Sequence, residues 1–337
     1  MKRPIILDCD PGHDDAMAIL LARGCADIEL LAITTVAGNQ TLEKTTLNAR
    51  RVCTVANIHD VPIFAGCDRP LERPLTVAAD IHGTSGLDGP SFGVPTVDVA
   101  DEHAVDYIIR TLLESDGDIT LVPVGPLTNL ATAVRREPRI VERTREVVLM
   151  GGAYTRGNRT PVAEFNIFVD PEAAAIVFEA GWPVTMVGLD LTHQALLPDP
   201  VLEEIRAMGT SVSRMVTDML GSYRDSYRKV VGLPSAPVHD PCAVARVARP
   251  ELVTVQDAFV AVETRGKWTS GATVTDFGGG LGYPANAKVA TRLDADNFWA
   301  LMLDALRTVS AASLQPGAPP GLSPGQQGAQ GGGVTDA

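Results

Sequence analysis

Residues 5–15 read IILDCDPGHDD. Its apolar start predicts a buried strand over residues 5–10, and the residues after Pro11 predict a helix over residues 14–23 that ends at Gly24. A strand that leads into a helix is the first half of a β-α-β unit, in which the next strand runs parallel to the first. The chain therefore begins as an α/β protein.

The same alternation of short apolar runs and segments of helical period continues to about residue 190, and the second half of the chain is more helical. The further predicted strands are 28–36, 61–65, 119–124, 147–150, 184–189, 253–263 and 288–293. This pattern predicts a mostly parallel sheet with helices on both faces, a Rossmann-like core whose sites lie at the carboxyl ends of the strands.

The chain shows no internal linker before its C-terminal segment. We predict a single domain over residues 1–313. Residues 314–337 are rich in Gly, Pro and Gln and contain almost nothing that could enter a core. They are predicted to form a disordered tail.

Charge and composition exclude several classes of partner. Lys and Arg total 28 against 41 Asp and Glu, a formal net charge of -13, which would repel the phosphates of a nucleic acid. No apolar run approaches the roughly 18 residues of a membrane span, so no membrane partner is expected. The five cysteines lack Cys-x-x-Cys spacing and no export signal is visible, so we expect reduced thiols and a cytoplasmic location.

Four carboxylates crowd the junction between the first strand and the first helix: Asp8, Asp10, Asp14 and Asp15. They would repel one another unless a cation lay among them, and oxygen ligands of this kind suit calcium or magnesium rather than zinc. The alternative is that Asp14 or Asp15 merely caps the helix.

A second polar segment, VHDP, occupies residues 238–241. Asp240 is a candidate metal ligand, although an Asp before Pro is also a common helix N-cap. His239 could donate a proton, or it could be a packed and hydrogen-bonded side chain.

Three further polar residues suit a sugar. In an extended segment Glu164 and Asn166 would point the same way and could hold hydroxyl groups, or both could be exposed loop residues. Asn39 follows the second strand, where the crevice is expected, but Gly38-Asn39 is also an ordinary turn dipeptide.

Seven segments carry a resemblance that periodicity could not supply: LDCDPGHDD (7–15), TTVAGN (34–39), IHG (81–83), VGPLTN (124–129), LMGG (149–152), AEFN (163–166) and VHDP (238–241). In this order they resemble the inosine-uridine-preferring nucleoside hydrolase family, the ribonucleoside N-ribohydrolases, from about Arg3 to Val309. The resemblance implies a nucleoside hydrolase-like fold and a small-molecule nucleoside substrate.

The resemblance also implies a role for individual residues. One calcium ion would be held by Asp10, Asp15, Asp240 and the main-chain carbonyl of Val124. The ribose would be held by Asp14, Asn39, Met150, Asn158, Glu164 and Asn166. The base would be faced by His239, His82 and Tyr227, with Tyr223 one helical turn away. For the two tyrosines a packed aromatic pair is the alternative.

The implied reaction is hydrolysis of the N-glycosidic bond of purine or pyrimidine ribonucleosides to ribose and free base, in nucleoside salvage. Positive charge develops on the sugar and negative charge on the base, so the site needs a nucleophile, hydroxyl anchors and a proton donor. Asp10 would be the general base toward a calcium-bound water, and His239 the acid for the leaving base. Inversion at the anomeric carbon is expected. The family also implies a homodimer or homotetramer, and the two histidines resemble its inosine-uridine branch.

Two other functions compete with this hypothesis. A haloacid-dehalogenase-like phosphatase also ends its first strand in Asp-x-Asp, with the first Asp as nucleophile, but it needs Thr or Val two residues after the second, where this chain has Gly12. A non-catalytic nucleoside-binding protein on the same fold would have lost the metal ligands or the general base. Asp10, Asp15, Asp240 and His239 are all present.

Overall fold

The computed structural model describes residues 2–232 and 235–314, and within them a ten-stranded sheet forms the centre of the protein. Its strands are β1 Arg3–Cys9, β2 Ile28–Thr35, β3 Ile63–Ala65, β4 Val99–Ala100, β5 Thr120–Pro123, β6 Glu146–Met150, β7 Val184–Val187, β8 Val253–Val262, β9 Thr273–Asp276 and β10 Ala287–Leu293. The predicted strands all occur, with ends shifted by a few residues. The short strand β4 and the edge strand β9 were not predicted.

The strand order is β4-β3-β2-β1-β5-β6-β7-β10-β8-β9. Every pair from β4 to β10 is parallel, and only β8 and β9 are added antiparallel. The predicted mostly parallel sheet is therefore confirmed. The chain moves outward from β1 to β4 and then returns to β5 on the other side of β1. This reversal opens a crevice at the carboxyl end of β1, where open α/β sheets bind their ligands.

Helices cover both faces of the sheet. They are α1 His13–Gly24, α2 Leu42–Val55, α3 Ala79–His82, α4 Ala104–Glu114, α5 Thr128–Arg136, α6 Phe165–Val169, α7 Pro171–Glu179, α8 Leu189–Thr192, α9 Asp199–Ala207, α10 Ser211–Ser226, α11 Pro241–Ala248 and α12 Ala295–Ser313. One core cluster joins α1, α2 and α9 to α12 with one face, and a second joins α4, α5 and α7 with the other.

Strand β1 contributes to both cores. Ile5 and Leu7 belong to the first cluster and Ile6 to the second, and all three side chains are fully buried. A strand with two buried faces needs the continuous apolar run that the sequence shows. The run ends at the crevice, where the carboxylates begin.

The predicted tail over residues 314–337 lies outside the described residues, except for the exposed Leu314. None of the helices in residues 2–232 and 235–314 combines the length and the apolarity needed to cross a bilayer.

The packing of α1 against α12 gives a test of the fold. A Cβ at Gly24 would lie 2.2 Å from the carbonyl oxygen of Ala305 in α12. We expect Gly24→Ala to lower the free energy of unfolding by about 1–3 kcal/mol, because the two helices would have to separate. A Cβ at Gly221 in α10 meets nothing within 4 Å. Gly221→Ala should therefore be neutral or stabilising by up to about 1 kcal/mol. Urea denaturation measures both, and equal midpoints for the two variants would contradict the close approach.

Candidate active site

A cavity of about 430 Å³ lies at the carboxyl ends of the central strands. Most of the residues singled out from the sequence line it: Asp14, Asn39, His82, Val124, Met150, Asn158, Glu164, Asn166, Tyr223, Tyr227, His239 and Asp240. Asp10 and Asp15 have no exposed surface and do not line it. The structure thus brings together side chains that are far apart in the sequence.

Three carboxylates converge beside this cavity. Asp14, Asp15 and Asp240 each offer one oxygen atom, and these atoms all lie within 4.8 Å of one another. Asp14 and Asp15 come from the first turn of α1, and Asp240 precedes α11. The crowding of carboxylates in the sequence predicted Asp14 beside a cation, whereas the resemblance implied that it holds the ribose; in the structure it belongs to this trio and also lines the cavity.

Asp10 lies against the same trio. Its backbone N–H donates to Asp15 Oδ1 at 3.0 Å, and the backbone N–H of Asn39 donates to Asp10 Oδ2 at 2.6 Å. The other oxygen of Asp10, Oδ1, is buried and has no hydrogen-bond partner among the described residues. Glycines make this position possible, because a Cβ at Gly38 or Gly125 would lie 2.1 or 2.6 Å from the carboxylate.

Burial raises the pKa of all these carboxyl groups, and repulsion by neighbouring carboxylates adds to the rise for Asp10, Asp14 and Asp240. The pKa of Asp14 is raised to about 7, and the pKa values of Asp10 and Asp240 are raised well above the usual range. Desolvation and like charge both disfavour the ionised form, so the group needs protons or a cation.

Asp240 shows that the cluster is not explained by helix capping. It occupies the N-cap position of α11 with Pro241 after it, as the sequence predicts, but its side chain makes no capping hydrogen bond. Asp15 likewise belongs to the capping box of α1, yet it also receives a hydrogen bond from Asn39 Nδ2 at 3.1 Å. The carboxylate of Asp240 is therefore not used for capping and lies with those of Asp14 and Asp15.

Asp8 is separate from this group, which corrects the expectation of four carboxylates around one cation. Its Oδ1 accepts hydrogen bonds from Thr34 Oγ1 at 2.5 Å and Asn129 Nδ2 at 2.7 Å. Burial raises its pKa to about 7. Asp8 joins β1 to β2 and α5 and does not line the cavity.

The predicted extended segment around Glu164 is wrong. Residues 165–169 form helix α6, and Glu164 is its N-cap, accepting hydrogen bonds from the backbone N–H groups of Asn166 at 2.9 Å and Ile167 at 3.2 Å. Asn166 is the second residue of this helix, and its Nδ2 donates to the carbonyl oxygen of Val124 at 2.8 Å. The two polar residues still meet at the cavity, but a helix rather than a strand directs them.

His239 lies between two hydroxyl groups. Its Nδ1 is 2.7 Å from Thr192 Oγ1, and its Nε2 is 2.8 Å from Tyr227 Oη. Tyr223 Oη lies 3.5 Å from Tyr227 Oη, so the two tyrosines are hydrogen-bonded as well as packed. Burial lowers the pKa of His239 to about 3, which keeps the ring neutral.

His82 stacks with two other rings, His13 and Tyr223, and Tyr223 connects this group to Tyr227. The centroids of His13, His82 and Tyr223 are 5.1 to 5.4 Å apart in each pair. His13 Nδ1 lies 3.1 Å from His82 Nδ1, and His13 Nε2 lies 2.8 Å from the carbonyl oxygen of Asp88. Burial lowers the pKa of His13 to about 4 and that of His82 well below its usual range.

Sequence reasoning missed several residues of this site. Thr192 and His193 lie at the end of α8, the short helix that follows β7, and the rule that sites lie near strand ends could have found them. His193 lines the cavity and packs edge-on against His239, with ring centroids 5.7 Å apart. Arg156 and Arg159 also line the cavity, from a loop that no local pattern assigned to it.

Comparison with known proteins agrees with this geometry. A family model described as inosine-uridine preferring nucleoside hydrolase matches residues 5–300. The chain is 51% identical over 311 residues to the inosine-uridine preferring nucleoside hydrolase of Crithidia fasciculata, covering 92% of this chain and 99% of that one. It is 48% identical to the pyrimidine-specific ribonucleoside hydrolase RihB of Escherichia coli, covering 91% and 97%.

A solved structure extends the comparison to the fold. The purine-preferring ribonucleoside hydrolase of Gardnerella vaginalis is 32% identical and matches with a TM-score of 0.87, covering 92% of this chain and 100% of that one. Sequence and fold agree over the same length. The chain therefore belongs to the inosine-uridine preferring nucleoside hydrolase family, enzymes that hydrolyse the N-glycosidic bond of ribonucleosides.

Proposed function

We propose that this enzyme releases the base from purine or pyrimidine ribonucleosides with one calcium ion at its carboxylate cluster, Asp10 as general base and His239 as leaving-group acid. The main support is the convergence of Asp14, Asp15 and Asp240 next to the unpartnered Oδ1 of Asp10, beside a cavity of about 430 Å³. Ligand pockets of this kind are typically about 300–1,000 Å³.

The donor set fits calcium. Every candidate ligand is a hard oxygen atom, with Asp10, Asp15, Asp240 and the carbonyl oxygen of Val124 as the proposed set. The Val124 carbonyl accepts one hydrogen bond from Asn166 and retains a second lone pair. When bound, calcium supplies positive charge that acidifies and orients the attacking water.

Asp10 is placed to take a proton from that water. One of its oxygens is held by the Asn39 amide, which leaves Oδ1 as the free acceptor. The raised pKa of the buried carboxyl means that its ionised form is a stronger base than an exposed Asp. A cation would keep this group ionised at neutral pH.

The ribose contacts are proposed for Asp14, Asn39, Met150, Asn158, Glu164 and Asn166. Asp14 and Asp240 line the cavity whereas Asp15 does not, and because Asp240 is assigned to the metal, Asp14 is the member of the trio left for the sugar. Asn166 Nδ2 donates to the carbonyl oxygen of Val124, and Asn166 Oδ1 makes no hydrogen bond within the described ranges. Glu164 is held by three backbone N–H groups, which fix its carboxylate at the cavity wall.

The proton for the leaving base is proposed to come from His239 together with Tyr227. Both ring nitrogens of His239 contact hydroxyl groups, so a proton given up by Nε2 passes through Tyr227 Oη or requires that hydroxyl to move aside. Thr192 Oγ1 contacts the other ring nitrogen, Nδ1, and so fixes the orientation of the His239 ring. A neutral ring would become an anion on losing a proton. The step therefore requires His239 to carry a proton on both nitrogens in the enzyme–substrate complex, so that giving up the Nε2 proton returns the ring to its neutral form.

The two competing functions find less support. A phosphatase would use Asp8 as nucleophile, yet Asp8 is 1% exposed and its Oδ1 already accepts two hydrogen bonds. A non-catalytic binding protein would not require an unpartnered buried carboxylate oxygen at Asp10. Both observations favour hydrolysis.

Base preference, assembly and location complete the proposal. His82 and His239 at the cavity support the inosine-uridine branch, and its relatives carry names for inosine-uridine, pyrimidine and purine preferences. A homodimer or homotetramer is supported by apolar side chains exposed near the edge strand β9, with Trp268 at 78% and Tyr283 at 60% exposure. All five cysteines are free, as expected in the cytoplasm.

The calcium requirement is tested by chelation. Removing the ion should abolish ribose release from inosine and uridine and lower the melting temperature, because four buried carboxylates are then uncompensated. Calcium at 100 times its dissociation constant should restore activity and add about 2.7 kcal/mol of stability. Full activity in rigorously metal-free enzyme would exclude the mechanism.

The role of Asp10 is tested by a matched pair of variants in the same segment. Asp10→Asn should reduce turnover by about 100-fold or more, since it removes the base while keeping the side-chain volume. Asp8→Asn keeps an oxygen that can accept from Thr34 and Asn129, so calcium affinity and turnover should change little. Steady-state kinetics and calcium titration distinguish them. A larger loss from Asp8→Asn would reverse the assignment.

The acid role of His239 is tested with two kinds of leaving group. His239→Ala should reduce inosine and uridine hydrolysis by about 100-fold or more, in the range of a positioned acid. The nitrophenolate of a nitrophenyl riboside leaves as a stabilised anion and needs no proton. The His239→Ala variant should therefore keep most of its activity on that substrate. Tyr227→Phe should show the same dependence on leaving group, because it breaks the 2.8 Å contact. Equal losses on both substrates would show that His239 supports the fold instead.

A further inference from the structure

The contact between His13 and His82 assigns a chemical role to each ring nitrogen. His13 Nε2 lies 2.8 Å from the carbonyl oxygen of Asp88. A carbonyl oxygen only accepts hydrogen bonds, so Nε2 of His13 carries the proton. His13 is fully buried and its ring nitrogens contact an imidazole and a carbonyl oxygen rather than a carboxylate, so the neutral ring is favoured; a neutral imidazole that donates through one nitrogen accepts through the other. Its Nδ1 therefore presents a lone pair.

That lone pair faces His82. The two Nδ1 atoms are 3.1 Å apart, and both rings are buried. If His82 Nδ1 were also unprotonated, two lone pairs would oppose each other at this distance without water between them. The repulsion is relieved when His82 carries its proton on Nδ1 and donates it to His13.

One other contact competes for His82 Nδ1. The backbone N–H of His13 lies 3.3 Å away and would need that nitrogen as an acceptor. This contact is longer than the one between the rings, and it would leave the lone pair of His13 Nδ1 facing a second lone pair. The N–H belongs to the first turn of α1 and has no partner within the helix, so leaving it without His82 Nδ1 has a cost, which the hydrogen bond between the two rings offsets. The contact between the rings therefore decides the tautomer.

We propose that His13 is a specificity-determining residue that holds His82 in the Nδ1–H tautomer, so that His82 presents Nε2 to the cavity as a hydrogen-bond acceptor. His82 lines the cavity, and its Nε2 has no hydrogen-bond partner in the part of the chain that the structure describes. An acceptor at this point selects bases that carry a ring N–H, the lactam N1–H of hypoxanthine or the N3–H of uracil.

The assignment also gives His82 and the pair of His239 and Tyr227 different roles toward the base. A neutral His82 with an unprotonated Nε2 has no proton to give to the leaving base. The leaving-group acid then belongs to the pair of His239 and Tyr227. His82 instead holds the base by accepting from its N–H, so its contribution is to substrate binding more than to turnover.

The tautomer is measured directly, without any use of activity. The chain has six histidines, so 15N-histidine labelling and long-range proton–nitrogen correlation of the calcium-loaded enzyme can resolve each ring. His82 is expected to show the Nδ1–H pattern. His13→Leu, which removes the acceptor, should shift it toward Nε2–H, whereas His13→Asn keeps an oxygen near the position of Nδ1 and should retain more of the original form. An Nε2–H pattern for His82 in the wild-type enzyme overturns the proposal, and so does a His82 spectrum that His13→Leu leaves unchanged.

The substrate consequence rests on the proposed function and is tested by uridine against cytidine, which differ at N3 and C4. His13→Leu should raise KM for uridine by about tenfold, the worth of one hydrogen bond, and lower the uridine preference by the same factor, with kcat nearly kept. His59→Gln, which changes an exposed histidine, should leave the preference unchanged. Hydrolysis of a nitrophenyl riboside reports whether the calcium and Asp10 still work. A wild-type enzyme that does not hydrolyse the nitrophenyl riboside would disprove the proposed function. An active His13→Leu enzyme with an unchanged preference for uridine over cytidine would disprove this inference alone.

Discussion

Buried negative charge at the end of β1 is the constraint on which the rest of the site depends. Asp10, Asp14, Asp15 and Asp240 have lost nearly all contact with water, with 0 to 5% of each exposed. Two features of the backbone offset part of this cost. The N–H groups of Asp10 and Gly12 donate to Asp15, and the first turns of α1 and α11, whose helix dipoles favour anions, both meet at the cluster. The charge that remains uncompensated is the charge that a calcium ion would neutralise.

The base side of the cavity has the opposite character. His13, His82 and His239 have pKa values lowered by burial, and their neighbours are aromatic rings and hydroxyl groups. This division suits the proposed reaction, in which the sugar would become positive while the base would become negative. Carboxylates stabilise the first change, and neutral donors or acceptors can handle the second without attracting the metal. Hydrogen bonds between neutral groups, rather than ion pairs, orient these histidine rings.

The features that could be predicted from the sequence were those that depend on short spacings. The apolar run before Asp8 predicted β1, and the Asp-Pro pair at Asp240 predicted the start of α11. The helix α6 could not be predicted, because its five residues are too few for a helical period and Glu164 caps it through its side chain. The resemblance named the residues of the cavity, but it did not reveal that Asp8 is engaged by Asn129, a partner 121 residues away.

His13 escaped notice for the same reason, and it links the two sides of the cavity. It stands immediately before Asp14 and Asp15 in the first turn of α1, and its ring reaches residues 69 and 75 positions later, His82 and Asp88. Asp88 closes its own turn by accepting from the backbone N–H groups of Thr84 and Ser85. One helical turn therefore carries the side chains of Asp14 and Asp15 and, through His13, contacts His82 and the segment that ends at Asp88. In the proposed function, the first turn of α1 thus links the carboxylates that would hold the metal with the side chain that would contact the base.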